Sequence, residues 1–166
     1  MQHLFDSKIN GTVKVKKYLW ETSVWVGGFE QSGPLVKAVW QKALKNVTIA
    51  PKSVLILGLG CGVAAKLISQ KFPNALITGV EIDPVMIDVG KKFFDLSKIK
   101  NLKIVCEDAH NFLKKNKTEF DLVIDDLYLG GKATAVSIKK LGKIVLKNNL
   151  DTKTLQNTVS VLKLTG

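Results

Sequence analysis

Residues Val54–Asp88 read VLILGLGCGVAAKLISQKFPNALITGVEIDPVMID, and this stretch decides the fold. Val54-Leu55-Ile56-Leu57 is an unbroken apolar run, the pattern of a strand covered on both faces. Gly58, Gly60 and Gly62 follow at once. Glycines at this place let the backbone turn sharply and approach a ligand closely. A helix is expected from about Val63 to Lys71, then a second strand over Ala75–Glu81. Asp83-Pro84 caps a further helix running to about Leu96, since aspartate accepts from the first free amides and proline suits the first turn.

The same alternation continues on the C-terminal side. Leu102–Val105 reads as a third strand, Asn111–Lys115 as a short helix and Phe120–Ile124 as a fourth strand. A loop and a short helix lead to a fifth strand, Lys143–Lys147. Asp151 opens a last helix with Leu155, Val159 and Leu162 on one face, while the alternation of Thr158–Leu164 offers a strand instead. Strands and helices alternating at this spacing give an α/β fold, Rossmann-like, with a mostly parallel sheet and helices on both faces.

On the N-terminal side, Gly11–Lys16 alternates apolar and polar residues, and Val24-Trp25-Val26 supplies a partner strand. Together they form a hairpin with its loop around Lys17–Thr22. Ser32-Gly33-Pro34 opens a helix with Ser32 or Gly33 as cap. Its apolar stripe is Leu35, Val36, Val39, Trp40, Ala43 and Leu44, ending near Lys45. The expected division is an N-terminal β-hairpin element over residues 1–31 and a Rossmann-like domain over residues 32–166.

The 166 residues suit one domain. Hydrophobic residues make up 46% and charged residues 23%, which excludes fibrous and disordered classes. No apolar run approaches the roughly 20 residues a membrane span needs, and no secretory leader is visible. Cys61 and Cys106 lack CxxC spacing, and no His/Cys/Asp/Glu group has metal-ligand spacing. The chain reads as cytoplasmic, with no membrane association and no metal. Its net charge is +11, carried entirely by lysine. Arginine, the usual bidentate reader of bases and phosphates, is absent. A solvated lysine surface is therefore favoured over a nucleic-acid partner. Trp20 and Trp25, with an unpaired hairpin, point weakly to a homo-oligomer through edge pairing.

Acidic residues at the ends of three strands carry the chemistry. Glu81 ends the second strand about 20 residues beyond the glycines, where such folds grip a ribose diol; the alternative is a helix-dipole or capping partner. Asp108, before Ala109, either accepts from an adenine amine or caps the short helix behind it. Asp125 and Asp126 end the fourth strand, where catalytic groups gather. Neighbouring strand residues point to opposite faces, so only one of the two is expected in the cleft.

In this order, these signals resemble the class I S-adenosylmethionine-dependent methyltransferases, and more closely the spermidine synthase family of aminopropyltransferases. The resemblance is carried by Val54–Asp88 with its VEID ending, by EDAHNFL (Glu107–Leu113), by FDLVIDDLYLGG (Phe120–Gly131) and by Gln31 after the β element. It implies a class I methyltransferase fold and S-adenosylmethionine, or its decarboxylated form, as cofactor. Gly58, Gly60 and Gly62 would line the methionine and ribose. Glu81, with Ile82 beside it, would hold the ribose hydroxyls. Asp108 and Ala109 would border the adenine, Asp126 would sit beside the sulfonium, and Gln31 would close the cofactor from the N-terminal side. Asp126 or Asp125 would be the catalytic base.

The departures matter as much. Cys61 stands where the family carries an aspartate for the transferred amine, and Leu129 lies near the place of a second catalytic aspartate. Ser32-Gly33-Pro34-Leu35 replaces an acidic polyamine-binding segment. Sheets of this class also have two strands after the fifth helix, so the chain reads as a shortened version. The implied function is a transferase moving a methyl group to an unknown small-molecule acceptor. The alternatives are a divergent aminopropyltransferase of polyamine biosynthesis and a non-catalytic adenosyl- or polyanion-binding module.

Overall fold

The computed structural model describes residues 1–129, 132–133, 142–151 and 156–163. Its first part is a four-stranded antiparallel sheet of consecutive strands β1 (Gln2–Ser7), β2 (Gly11–Lys17), β3 (Thr22–Val26) and β4 (Phe29–Ser32). The expected hairpin is therefore the middle of a larger sheet and is not unpaired, because β1 covers one flank and β4 the other. The expectation missed both because Gln2–Ser7 and Phe29–Ser32 mix polar and apolar residues without clean alternation. Trp20 does not pack here: it lies at the β2–β3 turn and is 93% exposed.

Helix α1 (Pro34–Lys45) follows with its proline in the first turn. Its apolar stripe is narrower than expected. Val36, Trp40, Ala43 and Leu44 are buried, but Leu35 is 61% exposed. The N-cap is Gly33, one of the two positions expected, and a more distant side chain serves the free amides. The carboxylate of Glu30 accepts from the Leu35 and Val36 amides at 2.8 and 3.3 Å, leaving Ser32 for another partner described below.

The second part contains β5 (Ser53–Leu57), α2 (Val63–Lys71), β6 (Leu76–Glu81), α3 (Pro84–Phe93), β7 (Leu102–Cys106), α4 (Ala109–Lys115) and β8 (Phe120–Asp125). After it come a short hairpin, β9 (Tyr128–Leu129) with β10 (Lys132–Ala133), and the strands β11 (Gly142–Asp151) and β12 (Gln156–Lys163). The large sheet has the order β12-β11-β8-β5-β6-β7. All neighbours are parallel except β12, which runs antiparallel to β11. The last helix expected after Asp151 is thus a strand over Gln156–Lys163, the other reading of that alternation. Thr158, Val159 and Val161 are β-branched and suit a pleated strand better than a helix. The short helix expected before Lys143 lies largely outside the described residues.

Both faces of the sheet are covered. Val54 and Ile56 of β5 face a core shared with Trp40 of α1 and Ile68 of α2, while Leu55 and Leu57 face Ala109 of α4 and Phe120. The N-terminal sheet has its own core of Val13, Val15, Val24 and Val26, which closes on Cys61, Met86 and Val89. It is therefore seated on the glycine turn and on α3. No helix among the described residues is long and apolar enough to cross a membrane.

Candidate active site

The strand order reverses at β5: β6 and β7 lie on one side of it, β8 and β11 on the other. Loops leaving the strand ends diverge at such a point and leave a crevice. Here it is a cleft of about 470 Å³. Gly58, Gly60, Glu81, Ile82, Asp108, Ala109 and Asp126 line one wall, and Gln31 lies on the facing wall from β4 and α1. Of the residues singled out in the sequence, only Gly62 and Asp125 do not line it.

The glycine turn shows why side chains are excluded. Gly58 has φ 82°, and a Cβ there would lie 2.3 Å from the Asp126 carbonyl oxygen. That closeness is fixed from both ends. The Gly58 amide donates to the Val80 carbonyl at 3.0 Å, and the Asp126 amide donates to the Leu57 carbonyl at 2.9 Å. Gly62 serves a different purpose. At φ 90° it precedes the first turn of α2, and a Cβ would lie 2.3 Å from Leu96 Cδ1. It lets the turn pack on Leu96, away from the cleft.

Glu81 is held by main chain. Its Oε2 accepts from the Gly60 amide at 2.7 Å and its Oε1 from the Asp83 amide at 3.0 Å. Burial pushes its pKa up from the ordinary carboxylate value, and these amide bonds pull the other way. Asp83 is the N-cap expected from the sequence, its Oδ1 accepting from the Val85 amide at 2.9 Å. Asp108 caps α4 through Oδ1, which accepts from the Asn111 amide at 3.0 Å, and it also lines the cleft. Of the two roles posed as alternatives, the cap is the one observed, and the side chain still borders the cleft.

Asp126 and Asp125 separate as the strand pleat requires. Asp126 lines the cleft, and its Oδ2 accepts from the indole Nε1 of Trp40 at 3.1 Å. Asp125 is buried and outside the cleft. Cys61 is buried against the N-terminal sheet, and burial pushes its thiol up to about 12. It offers no anion to the cleft.

Sequence reasoning missed several residues that meet here. Asn10 reaches the cleft from the β1–β2 turn, and Glu30 from β4. Ser32, expected as a helix cap, is instead buried with its Oγ accepting from the Cys61 amide at 3.3 Å. Trp40 shows in the sequence only as an apolar residue of the stripe. Glu30 left a readable signal, an acid just ahead of Gly33-Pro34. The others depend on how two sheets meet, which local pattern does not encode.

A parallel sheet with this order, a glycine turn at its switch point and an acid ending the next strand define a class I methyltransferase-like fold. A spermine/spermidine synthase domain model matches residues 39–141, and the chain belongs to that family. The match extends to polyamine aminopropyltransferase 2 of Aquifex aeolicus, 41% identical over 116 residues, or 63% of this chain and 23% of that protein. It extends also to an eEF1A lysine and N-terminal methyltransferase homolog of Drosophila melanogaster, 37% identical over 79 residues, or 46% of this chain and 12% of that protein. The chain thus matches less than a quarter of the length of either relative. In structure it is similar to a probable spermidine synthase from Corynebacterium glutamicum, with a TM-score of 0.71 and 14% identity, covering 89% of this chain and 63% of that one. The spermidine synthase of Thermotoga maritima gives 0.68 and 18%, covering 90% and 56%. The family is one of transferases, and its two kinds of named relative differ in what they transfer.

Proposed function

We propose that this chain binds S-adenosylmethionine, or its decarboxylated form, in the cleft and transfers a group from it, a methyl group in the first reading. The carrying observation is the Glu81 carboxylate, fixed on the cleft wall by the Gly60 and Asp83 amides. An ionised carboxylate has about four acceptor sites. Main chain takes a site on each oxygen, from Gly60 and Asp83, and the Ile82 amide adds a further contact; the capacity that is left is what the hydroxyls of a cis-diol would use.

The electrostatics of the cleft agree. Glu30, Glu81, Glu107, Asp108 and Asp126 line it, and no lysine among the described residues does, although the whole chain carries +11. A concave site lined by one sign of charge concentrates ligands of the other sign, and a sulfonium is such a ligand. The bound cofactor would supply an electrophilic carbon on sulfur. The protein's part is then alignment and proton removal. Gly58 and Gly60 allow main chain to approach the ligand, Ile82 and Ala109 supply apolar wall, and Gln31 covers it from the N-terminal side. Asp126, held by Trp40, accepts the proton that the attacking acceptor atom loses. Alignment of nucleophile and leaving group accounts for much of the rate in such reactions.

The aminopropyl reading is favoured by the Aquifex relative, which is named an aminopropyltransferase. Against it stands Cys61, a buried neutral thiol where the family resemblance asks for an aspartate. Calorimetric titration with S-adenosylmethionine, its decarboxylated form, S-adenosylhomocysteine and methylthioadenosine tests the reading. Binding is expected, and Glu81→Gln is expected to weaken it roughly 100-fold, because the charge is lost and one oxygen that accepts from a main-chain amide becomes a donor facing it. Absence of binding by the wild type at millimolar ligand overturns the proposal. Release of methylthioadenosine with putrescine and the decarboxylated cofactor would select the aminopropyl reading.

A further inference from the structure

We propose that Ser7 is a positioning residue for the nucleoside grip, so that seating of the N-terminal sheet and occupancy of the cleft are coupled. The inference rests on the adenosyl-binding reading above and adds a residue and a linkage to it.

Asp83 is fully buried, and its hydrogen bonds run in two directions. Toward the cleft, its amide donates to Oε1 of Glu81 at 3.0 Å. Toward the N-terminal sheet, its Oδ2 accepts from the Ser7 hydroxyl at 2.5 Å and from the Asn10 side-chain amide at 2.6 Å. Ser7 and Asn10 flank the β1–β2 turn, 76 and 73 positions away in sequence. The Ser7 oxygen also accepts from the Ile9 and Asn10 amides at 3.0 and 2.9 Å. One hydroxyl therefore shapes the turn and ties it to Asp83.

A buried carboxylate needs its donors, since losing one leaves charge uncompensated where water cannot replace it. With the turn seated, Asp83 has two side-chain donors and the Val85 amide. If the turn lifts, two of the three are lost. Asp83 must then rotate or hydrate, and the peptide whose N–H fixes Glu81 moves with it. Hydrogen-bonded groups with two discrete arrangements are the physical means by which separate sites are linked. Linkage is reciprocal, so a ligand that draws Glu81 into its bonded geometry stabilises the seated turn. Ser7 itself does not line the cleft, so an effect of its removal on affinity passes through its two partners, Asp83 and the turn residue Asn10.

The test is calorimetry of S-adenosylhomocysteine and methylthioadenosine with wild type, Ser7→Ala and Ser7→Thr, beside hydrogen exchange of the wild type. Ser7→Ala is expected to bind both ligands about tenfold more weakly, within the ordinary range of coupling between sites. Ser7→Thr keeps the hydroxyl and is expected to restore most of the affinity. In the wild type, either ligand is expected to slow exchange of the Ile9 amide, a group outside the cleft. Equal affinity of Ser7→Ala and wild type overturns the inference and leaves the adenosyl reading intact. An Ile9 amide indifferent to bound ligand overturns it too, even if Ser7→Ala fails to fold. A wild type that binds neither ligand overturns the adenosyl reading first and this inference with it.

Discussion

The two walls of the cleft are built by different physics. The sheet-end wall is main chain and carboxylate: the turn at Gly58–Gly60, Glu81 held by two amides, Asp108 on its own helix and Asp126. The facing wall, from β4 and α1, presents Phe29, Leu35, Val36, Ala38 and Val39 around Gln31 and Glu30. The first wall has little freedom to change, because its atoms are fixed by the strands they terminate. The second consists of side chains on a helix and an edge strand, and those outside the core, such as Leu35 and Ala38, can be exchanged without disturbing the sheet. A nucleoside requires the first kind of wall, and acceptor choice is expected to reside in the second. This division fits a family whose named relatives transfer different groups.

The largest expected effect breaks the sheet-end wall itself. Gly58→Ala puts a methyl group 2.3 Å from the Asp126 carbonyl oxygen at φ 82°. Strands β5 and β8 are paired there, so neither side can yield. A loss of about 3 kcal/mol or more is expected from overpacking with left-handed strain, together with loss of measurable adenosyl binding. Gly28→Ala is the matched control. Its φ is also positive, at 87°, but nothing lies within 4 Å of its Cβ position. About 1 kcal/mol from backbone strain alone is expected there, with affinity unchanged. Chemical denaturation and calorimetry of the pair check this. Equal losses would mean that backbone conformation, not the approach of Asp126, accounts for the glycine.

The same contrast explains what could be read from the sequence. Helix α2 begins and ends where periodicity placed it, at Val63 and Lys71, and β5 through β8 fall within a residue or two of expectation. These elements are local: a buried parallel strand is apolar throughout, and a capped helix announces its ends. The reversal at Gln156–Lys163 had a different cause. Its residues suit both patterns, and pairing with β11 decides the outcome, a tertiary fact outside any local window. The N-terminal wall was the least legible. Of the two caps expected, Gly33 holds the position while Glu30 supplies the accepting carboxylate, and Ser32 bonds the Cys61 amide instead. Nothing in the sequence near Ser7 or Asn10 announces Asp83. Within the site, strand alternation allowed one of Asp125 and Asp126 into the cleft, and only the register of β8 selects Asp126.

A smaller effect follows from the buried acid. Burial raises the pKa of Glu81, and a diol binds its ionised form. Adenosyl affinity should therefore fall as pH drops through the raised pKa, by up to about tenfold per pH unit below it. The sign for folding is opposite. A carboxyl whose pKa is higher folded than unfolded contributes stability that is full below its unfolded pKa and is lost as pH rises through the folded one. Acidification thus lowers affinity while adding Glu81's own contribution to the stability of the ligand-free protein. Methylthioadenosine, which lacks the ammonium and carboxylate of an amino-acid tail, suits calorimetry at several pH values above about 4.5. An affinity flat across that range would mean that Glu81 does not meet the ligand as an anion.

The smallest expected effect lies where the walls touch. Trp40 belongs to α1 and is buried outside the cleft, yet its indole donates to Oδ2 of the cleft residue Asp126 at 3.1 Å. Trp40→Phe keeps a buried aromatic ring and removes the donor. If the sheet-end wall binds the nucleoside without help from α1, affinity for S-adenosylhomocysteine should change less than about twofold, because its sulfur is neutral and Asp126 is not asked to face a charge. S-adenosylmethionine carries a sulfonium and should respond more, by roughly threefold, since the carboxylate loses the bond that sets its orientation. A melting temperature a few degrees lower is expected in both cases and does not bear on the question. What bears on it is the ratio of the two affinities. A tenfold loss for both ligands would show that α1 supports the nucleoside as well as the reacting end, and the two walls would then have to be treated as one.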